Sequence, residues 1–75
     1  MTKGEYRVGI SFNPSSDPNV DEIKVRAAEL IDFIEQMPVV AGGEGARLKA
    51  LAQTEIESAA MWAVKAATKT PQDAP

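Results

Sequence analysis

The sequence predicts an all-α fold: an antiparallel hairpin of two helices, preceded by a short N-terminal arm and assembled into a homo-oligomer. Apolar residues recur at steps of three and four over residues 20–37 and again over residues 46–69. A glycine-rich turn, residues 38–45, separates these two patterns. The second pattern becomes apolar on most of its circumference towards its end, so one partner helix cannot cover it.

The chain has 75 residues, which is the length of one small domain, residues 1–75. A domain of this size buries a modest fraction of its surface and usually needs a covalent link or a partner for stability. Disulfides cannot supply that link, because the sequence contains no cysteine. Oligomerisation is therefore the expected source of stability.

The composition also limits the chemistry. Cysteine and histidine are both absent, so the usual zinc sites, di-iron sites and nucleophile–base pairs cannot form. We therefore expect no enzyme activity, no metal and no cofactor. A net charge of −3 argues against binding to a DNA or RNA polymer, and no apolar run is long enough for a signal peptide or a membrane span. These features predict a cytoplasmic protein.

The N-terminal arm, residues 1–19, has the composition of turns. Two glycines and two prolines lie in it, and the segment SFNPSSDPN is typical of a fixed loop. A strand over residues 6–10 would find no second strand to pair with. We therefore predict an ordered arm rather than a sheet.

Helix one is predicted over residues 20–37. It begins either with Asp17 as cap and Pro18 in the first turn, or with Asn19 and Glu22 as a capping box. Pro38 ends it. One apolar stripe is predicted to face the second helix, and Lys24 is among the polar residues expected to lie off that stripe. The stripe consists of Val20, Ile23, Ala27, Leu30, Ile31, Ile34 and Met37.

Helix two is predicted over residues 46–69, with a flexible tail over residues 70–75. Its segment AAMWAVKAATK is rich in alanine, which allows close helix approach, and contains Trp62, a side chain typical of interface centres. The expected structure is a seam where several copies of this helix meet.

Lys65 is the one charged residue in the first nine positions of that segment. Its ammonium could simply reach water over an apolar stem. Alternatively, copies of Lys65 converge at a symmetry axis, where an anion would offset their repulsion and Thr68, three residues later, would donate to it.

Further candidate residues lie near the arm. Phe12 could stack on a nucleobase whose edge Asn13 reads, or it could be a core side chain that pins the arm. Lys24 and Arg26 are the candidate cations of helix one. The carboxylates Glu29, Asp32 and Glu35 are predicted to form a solvated face and not a metal site.

Three stretches carry a resemblance to a known family: GISFNP, VDEIKVRAAELIDFIEQM and RLKALAQTEIESAAMWAVKAATK. They resemble the phage anti-CBASS cyclic-oligonucleotide sponge family, whose hairpin domain also occurs in anti-Thoeris sponges. The resemblance covers about residues 8–69. It implies a homohexamer that performs no chemistry and sequesters cyclic dinucleotides, and in some members cyclic trinucleotides, in separate pockets.

The resemblance also implies site residues. Phe12 and Asn13 match the arm that contacts the dinucleotide, although this chain has Phe where a Tyr is expected, and Lys24 matches the cation that faces its phosphate. Lys65 and Thr68 match the pair at the threefold pocket for trinucleotides. The expected function is a phage sponge in the cytoplasm of the infected bacterium. The alternative is an oligomeric helical protein that blocks a host protein and binds no small molecule.

Overall fold

The computed structural model describes residues 1–71, and that part of the chain is all-helical. Its three helices are α1 (Lys3–Val8), α2 (Pro18–Glu35) and α3 (Glu44–Thr68). The two long helices run antiparallel, because Lys49 Nζ donates to the carbonyl of Glu35 at 2.6 Å while Gln53, farther along α3, donates to the earlier Ile31 at 3.1 Å. The predicted all-α hairpin is therefore confirmed.

The ends of the long helices follow from their caps. Asp17 accepts a hydrogen bond from Asn19 N at 2.8 Å and Pro18 occupies the first turn, so α2 starts with the first of the two alternatives given by the sequence. Residues 36–43 connect the helices, two residues earlier than the predicted turn, and Gly43 is the N-cap of α3. Of the predicted tail, residues 72–75 lie outside the described residues.

The predicted arm contains a helix that the sequence analysis missed, so residues 1–71 form three helices and not two. Helix α1 begins with a capping box, in which Glu5 N donates to Thr2 Oγ1 at 3.1 Å and Thr2 N donates to Glu5 Oε1 at 2.8 Å. It ends at Gly9, whose φ of +65° is readily adopted by glycine. These two caps stabilise a helix of six residues, a segment too short to show a helical period in its sequence.

Helices α1 and α2 make a close contact at Gly4. A Cβ atom on Gly4 would lie 2.2 Å from the carbonyl oxygen of Ala28, so only glycine fits there. The backbone N–H of Gly4 also donates to Asp32 Oδ1 at 2.7 Å. The contact and the hydrogen bond fix α1 against the middle of α2.

The chain forms a thin layer with a small core. Its dimensions are 53 × 24 × 12 Å, and a thickness of 12 Å is that of a single helix. The radius of gyration is 14.7 Å, whereas a compact domain of this length would have about 11 Å. The buried apolar side chains among the described residues are Val20, Ala28, Ile31 and Ala60. None of the described helices combines the length and apolarity needed to cross a membrane.

Candidate functional site

The loop of residues 9–17, which joins α1 to α2, is built from two consecutive turns. Phe12 N donates to Gly9 O at 2.9 Å in the first turn, and Ser16 N donates to Asn13 O at 3.2 Å in the second. Ser16 has a φ of +57°, a left-handed conformation that is uncommon for a residue other than glycine. The loop therefore has a defined shape.

Lys24 of α2 holds this loop through two hydrogen bonds. Its ammonium donates to the carbonyl of Gly9 at 2.9 Å and to the carbonyl of Phe12. The residue is 7% exposed, whereas the sequence pattern placed it off the apolar stripe and on the polar side of the helix. That expectation was wrong because α1 and the loop cover a side of α2 that a two-helix hairpin would leave open.

Asn13 ties the same loop to the start of α2. Its Nδ2 donates to Asp17 O at 2.9 Å and to Asp21 Oδ1 at 3.0 Å. Its Oδ1 accepts from Ser15 Oγ at 2.8 Å. Both amide hydrogens of Asn13 are therefore engaged within the chain, while Oδ1 keeps one acceptor position.

A groove lies beside the loop and encloses about 210 Å³. Four of the five residues predicted from the sequence line this loop groove: Phe12, Asn13, Lys24 and Thr68. The remaining lining residues are Pro14, Ser15, Val20 and Val64. The structure thus brings together side chains from the loop, from α2 and from the last turn of α3.

Phe12 offers an open aromatic surface at this groove. Its side chain is 70% exposed, so in the single chain it is not the core side chain that one reading of the sequence proposed. The ammonium of Lys24 lies 5.4 Å from the centre of its ring, within the range of a cation–π interaction. An aromatic face and a positive charge are therefore adjacent.

The two residues predicted for a second pocket lie one turn apart, but only one of them lines the loop groove. Thr68 donates its hydroxyl to Val64 O at 2.9 Å. Lys65 is exposed and places its ammonium 5.5 Å from the centre of the Trp62 ring. The exposed Arg26, the other candidate cation of α2, pairs with Glu22 at 3.1 Å instead.

A neighbouring groove of about 180 Å³ was missed by the sequence analysis. Lys24 and Val64 line it together with Val8, Glu57, Ala60 and Met61. Arg7 Nε donates to Glu57 Oε1 at 2.6 Å, and both side chains are partly buried. The helical position of Val8 and this ion pair depend on α1, so no pattern in the two long helices could indicate this groove.

Of the three carboxylates predicted to form a solvated face, Glu29 and Glu35 are exposed, but Glu35 and the half-buried Asp32 also bond to other helices. Glu35 Oε1 accepts from Lys3 Nζ at 2.9 Å and from Gln53 Nε2 at 3.0 Å. The hydrogen bond from Gln53, followed by that from Lys3, lowers the pKa of Glu35 from 4.5 to about 2. Asp32 accepts from Gly4, as described above. Residues 1–71 contain no group of three or more carboxylates that could hold a metal ion.

The fold and the candidate site define the class of protein: a thin helical hairpin with small grooves, beside one of which an aromatic face and a cation lie next to each other. The model of the Acb2/Tad1 hairpin domain matches residues 4–68 of the chain. The chain therefore belongs to this family, the anti-CBASS and anti-Thoeris sponges, as the resemblance in its sequence indicated.

The family assignment has a plain consequence for function. This is a family of phage anti-defence sponges, proteins that bind their ligands rather than cleave them. No curated protein and no solved structure matches the chain.

Proposed function

We propose that the protein is a homo-oligomeric sponge that binds cyclic dinucleotides, and also cyclic trinucleotides, without cleaving them. By lowering the free concentration of these messengers in the cytoplasm of the infected bacterium, it blocks activation of CBASS effectors. The observation that carries the proposal is the juxtaposition of the open Phe12 ring and the Lys24 ammonium at one groove. A nucleotide needs these two elements: a surface for its base and a charge for its phosphate.

In this proposal the cyclic dinucleotide stacks a base on Phe12. The remaining N–H of Lys24 faces a phosphate, and the free acceptor position of Asn13 Oδ1 receives a hydrogen bond from a base. The groove of about 210 Å³ is smaller than the roughly 300–1,000 Å³ typical of pockets for ligands of this size. A second copy of the chain therefore supplies the missing wall.

A homohexamer is the assembly we propose. The apolar side chains Met61 and Trp62 of α3 are 67% and 66% exposed in the single chain, and a partner copy would remove them from water. The thinness of the layer supports the same conclusion, because both of its faces are open. Six chains of 8.0 kDa give a mass of roughly 48 kDa.

The second proposed pocket is formed by Lys65 and Thr68 around a threefold axis of that hexamer. Lys65 is exposed on the same face of α3 as Trp62, so its ammonium is available to an anion where copies of α3 meet. The Thr68 hydroxyl, now bonded to Val64 O, could turn to donate to the same phosphate. This pocket would take the cyclic trinucleotide.

Calorimetry against a panel of cyclic di- and trinucleotides tests the proposal. A sponge needs nanomolar affinity, about −12 kcal/mol, to compete with immune receptors. Lys65→Ala should weaken the binding of cyclic trinucleotides and leave the binding of cyclic dinucleotides unchanged, while Lys24→Ala should have the opposite effect.

Two further outcomes separate the proposal from its alternatives. Intact nucleotide released by heating the complex would exclude cleavage. Absence of binding at micromolar concentration would reject the sponge, and capture of a host protein in its place would favour the alternative of a protein that blocks a host factor.

A further inference from the structure

We infer that Lys24 and Asn13, besides the ligand contacts proposed above, have a positioning role: they hold the loop of residues 9–17 in the shape that presents the Phe12 ring before any ligand arrives. The first part of the inference, that these bonds hold the loop in one conformation, rests on the structure of the chain without ligand. The second part, that this conformation raises ligand affinity, rests on the function proposed above.

Lys24 is the first attachment point. An ammonium has three N–H donors, and two of them hold the carbonyls of Gly9 and Phe12. These two residues are the ends of the first loop turn, since Phe12 N donates to Gly9 O. A buried ammonium needs such acceptors, because a buried charge without hydrogen bonds is strongly unfavourable. The burial of Lys24 and the shape of this turn are therefore coupled.

Asn13 is the second attachment point. Its amide reaches the carbonyl of Asp17, the residue that caps α2, and the carboxylate of Asp21 in the first turn of that helix. The loop is thus held at its middle to positions 21 and 24, which lie about one turn apart on α2.

The Phe12 ring depends on these bonds because it has little apolar packing of its own. A side chain that is 70% exposed is not fixed by a core. Its backbone is fixed instead, on one side by Lys24 and on the other by Asn13. The polar bonds therefore fix the backbone from which the ring is presented at the groove, and they spare the ligand the entropy cost of ordering the loop.

Amide hydrogen exchange of the ligand-free protein tests the inference. In Lys24→Met we expect the Phe12 amide to exchange at least tenfold faster than in the parent chain. In Asn13→Ala we expect the same of the Ser16 amide. Arg26→Met is the matched control, because it removes an exposed charge two residues from Lys24 without contact to the loop, and it should leave both amides within twofold. Unchanged protection in both loop variants would overturn the inference. If Lys24→Met does not fold, Asn13→Ala decides alone.

A second measurement uses the unaltered protein with saturating cyclic dinucleotide. We expect NMR couplings from Lys24 Nζ to the carbonyl carbons of Gly9 and Phe12 to persist in the complex. Loss of both couplings would show that the ligand takes the ammonium away from the loop, which contradicts a positioning role. If no cyclic nucleotide in the panel binds, the proposed function fails, while the exchange experiment still decides whether the loop is held as inferred.

Discussion

The side-chain amide of Gln53 donates to the carboxylate of Glu35 across 3.0 Å, joining the middle of α3 to the last residue of α2. Gln53 is 2% exposed, and it also donates to Ile31 O and accepts from Lys3 Nζ at 3.4 Å. All three helices therefore meet in one polar network. The ionised form of Glu35 is the form that this network favours.

This network predicts a dependence of stability on pH. The pKa of Glu35 is lowered from 4.5 to about 2, so its contribution to stability is complete above about pH 4.5 and is lost as the pH falls towards 2. Glu35→Gln should lower stability at pH 7, and its difference from the parent chain should shrink across that window. Urea unfolding between pH 7 and pH 2.5 measures this. Glu29→Gln, an exposed change on the same helix, is the control, and a constant difference for Glu35→Gln at all pH values would contradict the prediction.

Gly4→Ala should destabilise the protein by about 2 kcal/mol or more. The new Cβ would meet backbone atoms of Ala28, which cannot move aside as a side chain can, and overpacking of this kind costs roughly 1–3 kcal/mol. Gly45→Ala is the control, because its Cβ would lie at an ordinary 3.5 Å from Val39. That change should leave the stability equal or raise it by up to about 1 kcal/mol. Thermal unfolding of both variants gives the comparison, and equal melting temperatures would argue against the close contact.

Ser16→Gly and Ser15→Ala should have opposite effects within one loop. Ser16 has a φ of +57°, which costs a side chain about 1 kcal/mol that glycine avoids, so its replacement should stabilise by up to about 1 kcal/mol. Ser15 Oγ donates to Asn13 Oδ1 and accepts from Asp17 N at 3.2 Å, so Ser15→Ala should cost about 0.5–1.5 kcal/mol. Chemical unfolding at pH 7 measures both. Effects of the same sign would show that the loop is not held in this conformation.

Trp62→Glu should dissociate the proposed hexamer. A carboxylate at the centre of an apolar contact would have to be desolvated without a partner, which disfavours association strongly. The molar mass measured by light scattering should fall from about 48 kDa towards the 8.0 kDa of the single chain. Val40→Glu, at the opposite end of the hairpin, is the control and should leave the mass unchanged. A full-size assembly of Trp62→Glu would place the interface elsewhere.

The two long helices could be predicted because each one extends over many turns, so their apolar period is clear. Helix α1 could not, since six residues show less than two turns. A signal for it was nevertheless present: Thr2 and Glu5 have the spacing of a capping box, and Gly9 follows where a helix would end. Reading Gly4 as a mark of irregular structure concealed that signal.

The candidate site was predictable in its residue types but not in their arrangement. The residues near the arm left two readings of Phe12 open, a stacking surface for a nucleobase or a core side chain, and the family resemblance is what favoured a nucleotide ligand. The burial of Lys24 depends on α1 and the loop, which the hairpin pattern does not include. The position of Thr68 at the loop groove depends on how far α3 extends past α2, a length that no local pattern gives.

Because the chain is only 12 Å thick, the stability of its fold should depend on protein concentration. A chain one helix thick cannot shield its apolar side chains from water on both faces, so any association that covers a face binds the folded state alone. By mass action, the melting temperature should then rise with protein concentration. At low protein concentration, where fewer copies associate, the folded fraction should be correspondingly smaller. The amount of chain synthesised would then act as the threshold for its effect.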